Sequence, residues 1–111
     1  MRQSGILAAA CLYSLDHQYS HLAKDHEHAQ ILAKAFSKKA GIELEFDKVE
    51  TNILWLNILD GEVKAQQMVD WFKEQGILFL NIGSKVRLVT HLDINASAIE
   101  TVLQKVAEFE M

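Results

Sequence analysis

Three sets of side chains in this 111-residue chain are of types that could do chemistry. The first is His17, His21 and His28, with Asp25 among them. On one unbroken helix these positions would share a stripe, because residues three or four apart lie on one face, and imidazoles with a carboxylate can ligate zinc. A break expected between His17 and Ser20 works against a converging shell. The plainer reading is a polar, partly solvent-facing helix surface, and no metal is expected. The second is Cys11, the only cysteine. A nucleophilic thiol needs a neighbouring charge, base or helix terminus. Cys11 sits instead in the apolar run AAACL and is expected to be buried packing. The third is Arg87 in KVRLVTH, with Thr90 and His91 close behind. A guanidinium on a strand facing a cleft would grip a planar carboxylate through two parallel hydrogen bonds. Facing solvent, it would serve as an ordinary ion-pair partner. Thr90 and His91 could satisfy backbone groups where the strand ends. Trp55, Trp71, Phe72 and Phe79 fall on strand or helix stripes and read as core or interface packing rather than cofactor stacking. There is no carboxylate pair, Walker motif or dinucleotide fingerprint to complete a reaction by itself.

Composition narrows the partners. Half of the residues are hydrophobic, 23% are charged and the formal net charge is -4. This is the composition of one globular domain, not of a disordered chain. It offers no concentrated positive charge for a nucleic-acid backbone or an anionic membrane. A single cysteine forms no internal disulfide and points to a reducing compartment, with the cytoplasm as expected location. Ile6 to Leu15 is apolar apart from Ser14, yet a membrane span needs about 20 such residues. Arg2 alone makes a poor basic region for a secretory signal.

The elements that must position these residues follow from periodicity. Ser4 to His17 reads as a helix apolar on nearly every face, which needs cover from outside the chain. A second helix is expected from Ser20 or His21 to Ala40, with Leu22, Ala29, Ala33, Phe36 and Ala40 at helical spacing and Gly41 as terminator. Val49 to Leu59 contains TNILWLNIL, a strand covered on part of both faces. Asp60 and Gly61 turn the chain into a helix over Lys64 to Gln75 that stops at Gly76. Ile77 to Ile82 and Lys85 to His91 form an antiparallel hairpin about Gly83 and Ser84. The final helix starts at Asn95 or Ser97, with Glu100 placed to close a capping box on Ser97. It presents Ile99, Val102, Leu103, Val106 and Phe109 on a buried stripe. The expected fold is α/β: a two-layer domain over 41–111 with a small, largely antiparallel sheet, preceded by a helical arm and linker helix over 1–40.

The stretches MRQSGILAAACLYSL and KVRLVTHLDIN, with the intervening ETNILWL in compatible order, resemble the C-terminal part of low-specificity L-threonine aldolases. These are pyridoxal-phosphate enzymes of the aspartate-aminotransferase-like fold. The resemblance covers nearly the whole chain. It implies a lyase that cleaves L-threonine or L-allo-threonine to glycine and acetaldehyde, with the cofactor held as a lysine imine. It further implies that Arg87 holds the substrate carboxylate, and that Arg2 lies near the cofactor at a subunit junction. Gln3, Thr90 and His91 take structural or supporting places. The imine lysine and the glycine run expected before MRQ are not matched by any segment here. The chain is therefore expected to be catalytically incomplete and to bind no cofactor tightly alone. The expected partners are a cofactor-binding half, a second subunit, or both. A noncatalytic assembly module, or the C-terminal domain of another pyridoxal-phosphate enzyme, is the alternative.

Overall fold

TNILWLNIL alternates along a strand, and this alternation organises the fold. In the computed structural model, which describes residues 1–111, Ile53–Ile58 forms β2, with Leu54, Leu56 and Ile58 buried on one face. Ile53, Trp55 and Asn57 stand on the other. Lys85–Val89 forms β4 antiparallel to it, with Leu54 opposite Leu88 and Leu56 opposite Val86 on the buried side. Trp55 faces Arg87, and Asn57 faces Lys85, on the other side. Two short strands, β1 (Ile42–Leu44) and β3 (Leu80–Ile82), complete a four-stranded antiparallel sheet of order β1-β2-β4-β3.

Helices cover only the buried side. The core cluster joins inward strand residues to Ala29, Leu32, Ala33 and Phe36 of α2 (Leu22–Phe36) and to Ala65, Met68 and Phe72 of α3 (Glu62–Glu74). Ile99 and Val106 of α4 (Ala96–Glu108) and the following Phe109 close the same layer. Phe72 is the hub: its ring centroid lies 5.9 Å from Phe36, 4.9 Å from Phe79 and 5.3 Å from Phe109. Offset and tilted ring pairs of this kind add to the burial of large apolar surfaces. The expected two-layer α/β arrangement, with its small antiparallel sheet, is the one found.

Several boundaries differ from the sequence reading. The helix expected to reach Ala40 ends at Phe36, where Ser37 Oγ turns back to donate to Lys34 O at 3.0 Å. The chain then swings through Gly41, at φ +81°, into β1, a strand the sequence reading lacks. Ile77 does not belong to β3, because its N–H bonds Phe72 O at 2.9 Å while Gly76 N–H bonds Lys73 O at 2.9 Å. This paired closure of the last helical turn consumes the backbone groups a strand would use. At the start of α4, Asn95 is the cap, its Oδ1 accepting from Ala98 N at 2.8 Å. Ser97 lies inside the helix, so the Ser97–Glu100 box does not form. Lys39 binds the opposite end of α4, donating to Ala107 O at 3.2 Å and Phe109 O at 2.9 Å.

The first helix, α1 (Ser4–His17), has the expected bounds but no buried residue. Ile6 is 72% exposed and Leu15 62%. Cys11 is exposed as well, contrary to the buried packing expected of it, because no other element of the chain closes over the AAACL run. No helix is long and apolar enough to cross a membrane.

Phe72→Ala is expected to destabilise the fold by about 3–5 kcal/mol, the cost of a large aromatic-to-alanine cavity. Urea unfolding followed by circular dichroism measures it. A loss below about 1 kcal/mol would show that the four-phenylalanine cluster is not the hub of the core.

Candidate functional site

The uncovered face of the sheet carries one of the two buried side-chain atoms without a hydrogen-bond partner, the other being His28 Nδ1 of α2. Val86 and Leu88 turn inward, so Arg87 must turn outward. There it is half-buried, flanked by its ladder neighbours Trp55 on β2 and Leu80 on β3. The guanidinium carbon lies 6.0 Å from the centroid of the Trp55 ring, at the edge of cation–π range. Arg87 Nε is buried and has no hydrogen-bond partner. None of the ion pairs of the structure includes Arg87. The terminal guanidinium nitrogens make no hydrogen bond either and are not enclosed, so on this rigid strand, with an aromatic wall beside them, they can receive a carboxylate or phosphate oxygen.

Two other charges on this face are matched to each other. Lys85, two residues before Arg87, donates to Glu45 Oε1 at 2.6 Å. That hydrogen bond, with a smaller one from Asn57, holds the Glu45 carboxyl below its ordinary value. Around Arg87 the face is apolar and open, with Ile53, Leu80 and Val89 each more than one-third exposed.

Thr90 follows directly and lies buried at the end of β4. Its Oγ1 donates to Asp25 O at 2.7 Å, while its N–H bonds Asn52 O at 2.9 Å and its own carbonyl accepts from Asn52 Nδ2 at 2.6 Å. These bonds tie the end of β4 to the approach to β2 and to the first turn of α2. His91 is exposed, with Nδ1 accepting from Asp93 N at 3.3 Å in the turn that leads to α4. Arg2 is exposed, and Gln3 caps α1 at φ 54°, a left-handed conformation rarely used by side-chain-bearing residues. Neither is joined to Arg87 by a hydrogen bond or ion pair, and they precede a helix that contributes nothing to the core.

The histidine set does not converge. α1 ends at His17, a 3-10 turn occupies Tyr19–His21, and no group of three potential ligands is placed to hold a metal ion. His17 stacks on Tyr13, with ring centroids 4.2 Å apart. Asp25 and His28 are buried rather than solvent-facing, on a helix whose first turn is tied to the end of β4 by the Thr90 hydroxyl. Trp55 and Asn52 escaped the sequence reading as site neighbours. Only the β2–β4 register and the Asn52–Thr90 bonds reveal them.

A family profile described as Beta-eliminating lyase matches residues 1–58. The low specificity L-threonine aldolase of Escherichia coli (strain K12) is 36% identical over 102 residues, which cover 92% of this chain and 29% of that protein. Low-specificity L-threonine aldolase 1 of Arabidopsis thaliana is 33% identical over 105 residues, covering 93% of this chain and again 29% of the relative. The chain thus spans under a third of the length of these relatives. A solved cystine C-S lyase, in complex with its reaction product cysteine persulfide, shares the fold with a TM-score of 0.71 at 16% identity. The match covers 96% of this chain and 29% of that one.

The lowered Glu45 carboxyl sets a pH dependence. A folded-state value below the unfolded one adds stability above the unfolded value, and that contribution is lost as pH falls through the folded one. Urea unfolding of the native chain and Lys85→Met is expected to differ at neutral pH and to converge in acid. A difference that persists unchanged below the carboxylate range would show that Glu45 is not the partner that matters.

Proposed function

Since the chain belongs to the Beta-eliminating lyase family, we propose that it is the C-terminal, substrate-carboxylate-binding part of a pyridoxal-phosphate-dependent threonine aldolase. The reaction is cleavage of L-threonine or L-allo-threonine to glycine and acetaldehyde. The observation that carries this reading is Arg87, a half-buried guanidinium with an orphaned Nε on an open sheet face beside Trp55. The similarity to threonine aldolases over more than nine-tenths of the chain supports it.

In this reading the chain holds no cofactor by itself, because no segment matches the family's imine lysine and several lysines are engaged elsewhere. Lys85 is the lysine that β4 places on the face of Arg87, and its ammonium is engaged by Glu45 at 2.6 Å. Lys39 is likewise spent on the end of α4, and Lys24 and Lys105 pair with Glu27 and Glu108. We therefore assign pyridoxal phosphate, which would serve as the electron sink for C–C cleavage, to residues beyond these 111. The contribution of this chain is to bind and orient. Arg87 would fix the amino-acid carboxylate through its planar fork. Trp55 would hold the guanidinium in place and keep water from one side of it. Thr90, bonded to Asn52 and Asp25, would hold the strand end that carries Arg87. A division at 40/41, into a helical arm with its linker helix and a sheet module, would leave α2 packed in the core of the sheet module. The bare α1 would lie against a cofactor-binding half or a second subunit, in an oligomer of the cytoplasm.

Two outcomes follow. The chain alone, given pyridoxal phosphate and L-threonine, is expected to yield no glycine above a cofactor-only control. Turnover with one lysine stoichiometrically modified would overturn the assignment of the cofactor elsewhere. When a complementary cofactor-binding half restores activity, Arg87→Ala is expected to reduce kcat/KM by about 2–4 kcal/mol of transition-state stabilisation, by analogy with the loss of one fixed donor. Arg87→Lys should recover part of this, since lysine restores charge but not the two-pronged geometry. Steady-state kinetics with parallel cofactor-occupancy measurements separate substrate binding from cofactor loss. Near-native efficiency in the alanine variant, with the assembly intact, would return Arg87 to a structural role.

A further inference from the structure

A second unpaired charge lies on another side of the molecule. Asp25, in the first turn of α2, is only 8% exposed. Its carbonyl is taken by Thr90, but no hydrogen bond or ion pair reaches its carboxylate. The nearest lysine along the helix, Lys24, points to Glu27 at 3.1 Å. Neither carboxylate oxygen is fully enclosed, so the group stays open to a cationic partner from outside. It faces a cavity of about 260 Å³ between the end of α1, the 3-10 turn and the β4–α4 loop. Leu15, Tyr19, Leu22 and Leu92 supply the apolar half of its lining, and Ser14, Gln18 and His21 stand with Asp25 in the polar half.

The chemistry of that cavity is selective. A bare metal ion is disfavoured, because Asp25 and His21 are the only carboxylate and imidazole in the lining and no group of three potential ligands is placed to hold one. A long side chain with a hydrocarbon stem and a cationic head satisfies both halves of the lining, burying methylenes against the leucines and delivering charge to the carboxylate. The position says where such a side chain would come from. Ser14 and Leu15 belong at once to the cavity and to α1, whose apolar surface is bare over its whole length. A polypeptide laid along α1 therefore crosses the cavity mouth.

We propose that this cavity is a socket for one arginine or lysine side chain of the polypeptide that covers α1, a segment not among these 111 residues. The inference rests on the reading that α1 is covered by another polypeptide. It concerns the chemistry of that contact and not the aldol cleavage.

The test is a ¹H–¹⁵N NMR titration of the intact chain with n-butylguanidinium chloride, with n-butanol as the neutral arm and Asp25→Asn as the variant arm. The expected result is saturable shifts of the Leu15, Asp25 and Leu92 amides with the cation. Asp25→Asn should weaken binding by at least about tenfold, the effect of removing a charged partner worth about 1.4 kcal/mol or more. Equal shifts with n-butanol, or none with the cation, would overturn the socket on the native chain alone, whatever the folding of the variant. If the same amides instead shift with protein concentration before any probe is added, a second copy fills the cavity, and assignment to a different polypeptide fails. Because no step of the test involves turnover, these failures are distinguishable from failure of the aldolase reading.

Discussion

Burial of one face of the sheet is the constraint from which the remaining arrangement follows. Leu54, Leu56, Val86 and Leu88 must lie against the helices because they supply the central rows of the core. Strand geometry then leaves Trp55 and Arg87 no choice but the opposite face. A one-residue slip of β4 would turn the guanidinium into the core and Val86 out of it, so the hydrophobic effect that stabilises the core also aims the arginine. The aromatic hub fixes the frame: Phe72 touches the ring of Phe36 from α2, that of Phe79 before β3, and that of Phe109 after α4. The candidate carboxylate grip needs no dedicated scaffold beyond this.

The two unpaired charges differ in what they ask of their surroundings. Arg87 stands on an apolar face that is broad, open and bordered by a self-satisfied Lys85–Glu45 pair. Asp25 lines a small cavity beside a bare helix. Opposite in sign and on different elements, they mark two distinct surfaces on which the chain is polar-deficient and incompletely covered. A small molecule can satisfy the first. The second, continuous with a helix of fourteen residues that has no buried side chain, suits a macromolecular neighbour.

What could be read from the sequence tracks how local the cause is. α1 was legible because alanines and leucines run between Ser4 and His17, and α3, read as Lys64 to Gln75, was legible to within two residues because Asp60–Gly61 and Gly76 punctuate it. The β3–β4 hairpin followed from Gly83 and Ser84. β1 was not legible, since three residues are too few to display alternation and the following Glu45–Glu50 stretch is polar. The burial of Asp25 was hidden for a different reason: its cause is the hydroxyl of Thr90, 65 residues away. The placement of Trp55 beside Arg87 likewise depends on register between strands separated by a whole helix. Arg87 itself stood out by residue type and position, whereas its lack of a partner is a property of the assembled sheet.

The sheet order carries a kinetic consequence. β4 meets β3 across a two-residue turn, but its longer ladder is with β2, from which it is separated by α3 and β3. Local pairing loses little chain entropy, whereas the central ladder must close a loop of about thirty residues before any of its hydrogen bonds form. The face that presents Arg87 is therefore assembled from the slow, long-range contact, and it exists only once the chain has committed to its full topology. Partly folded forms would hold the hairpin and the α3 turn yet lack the tryptophan wall, so the orphaned guanidinium is a signature of completed folding.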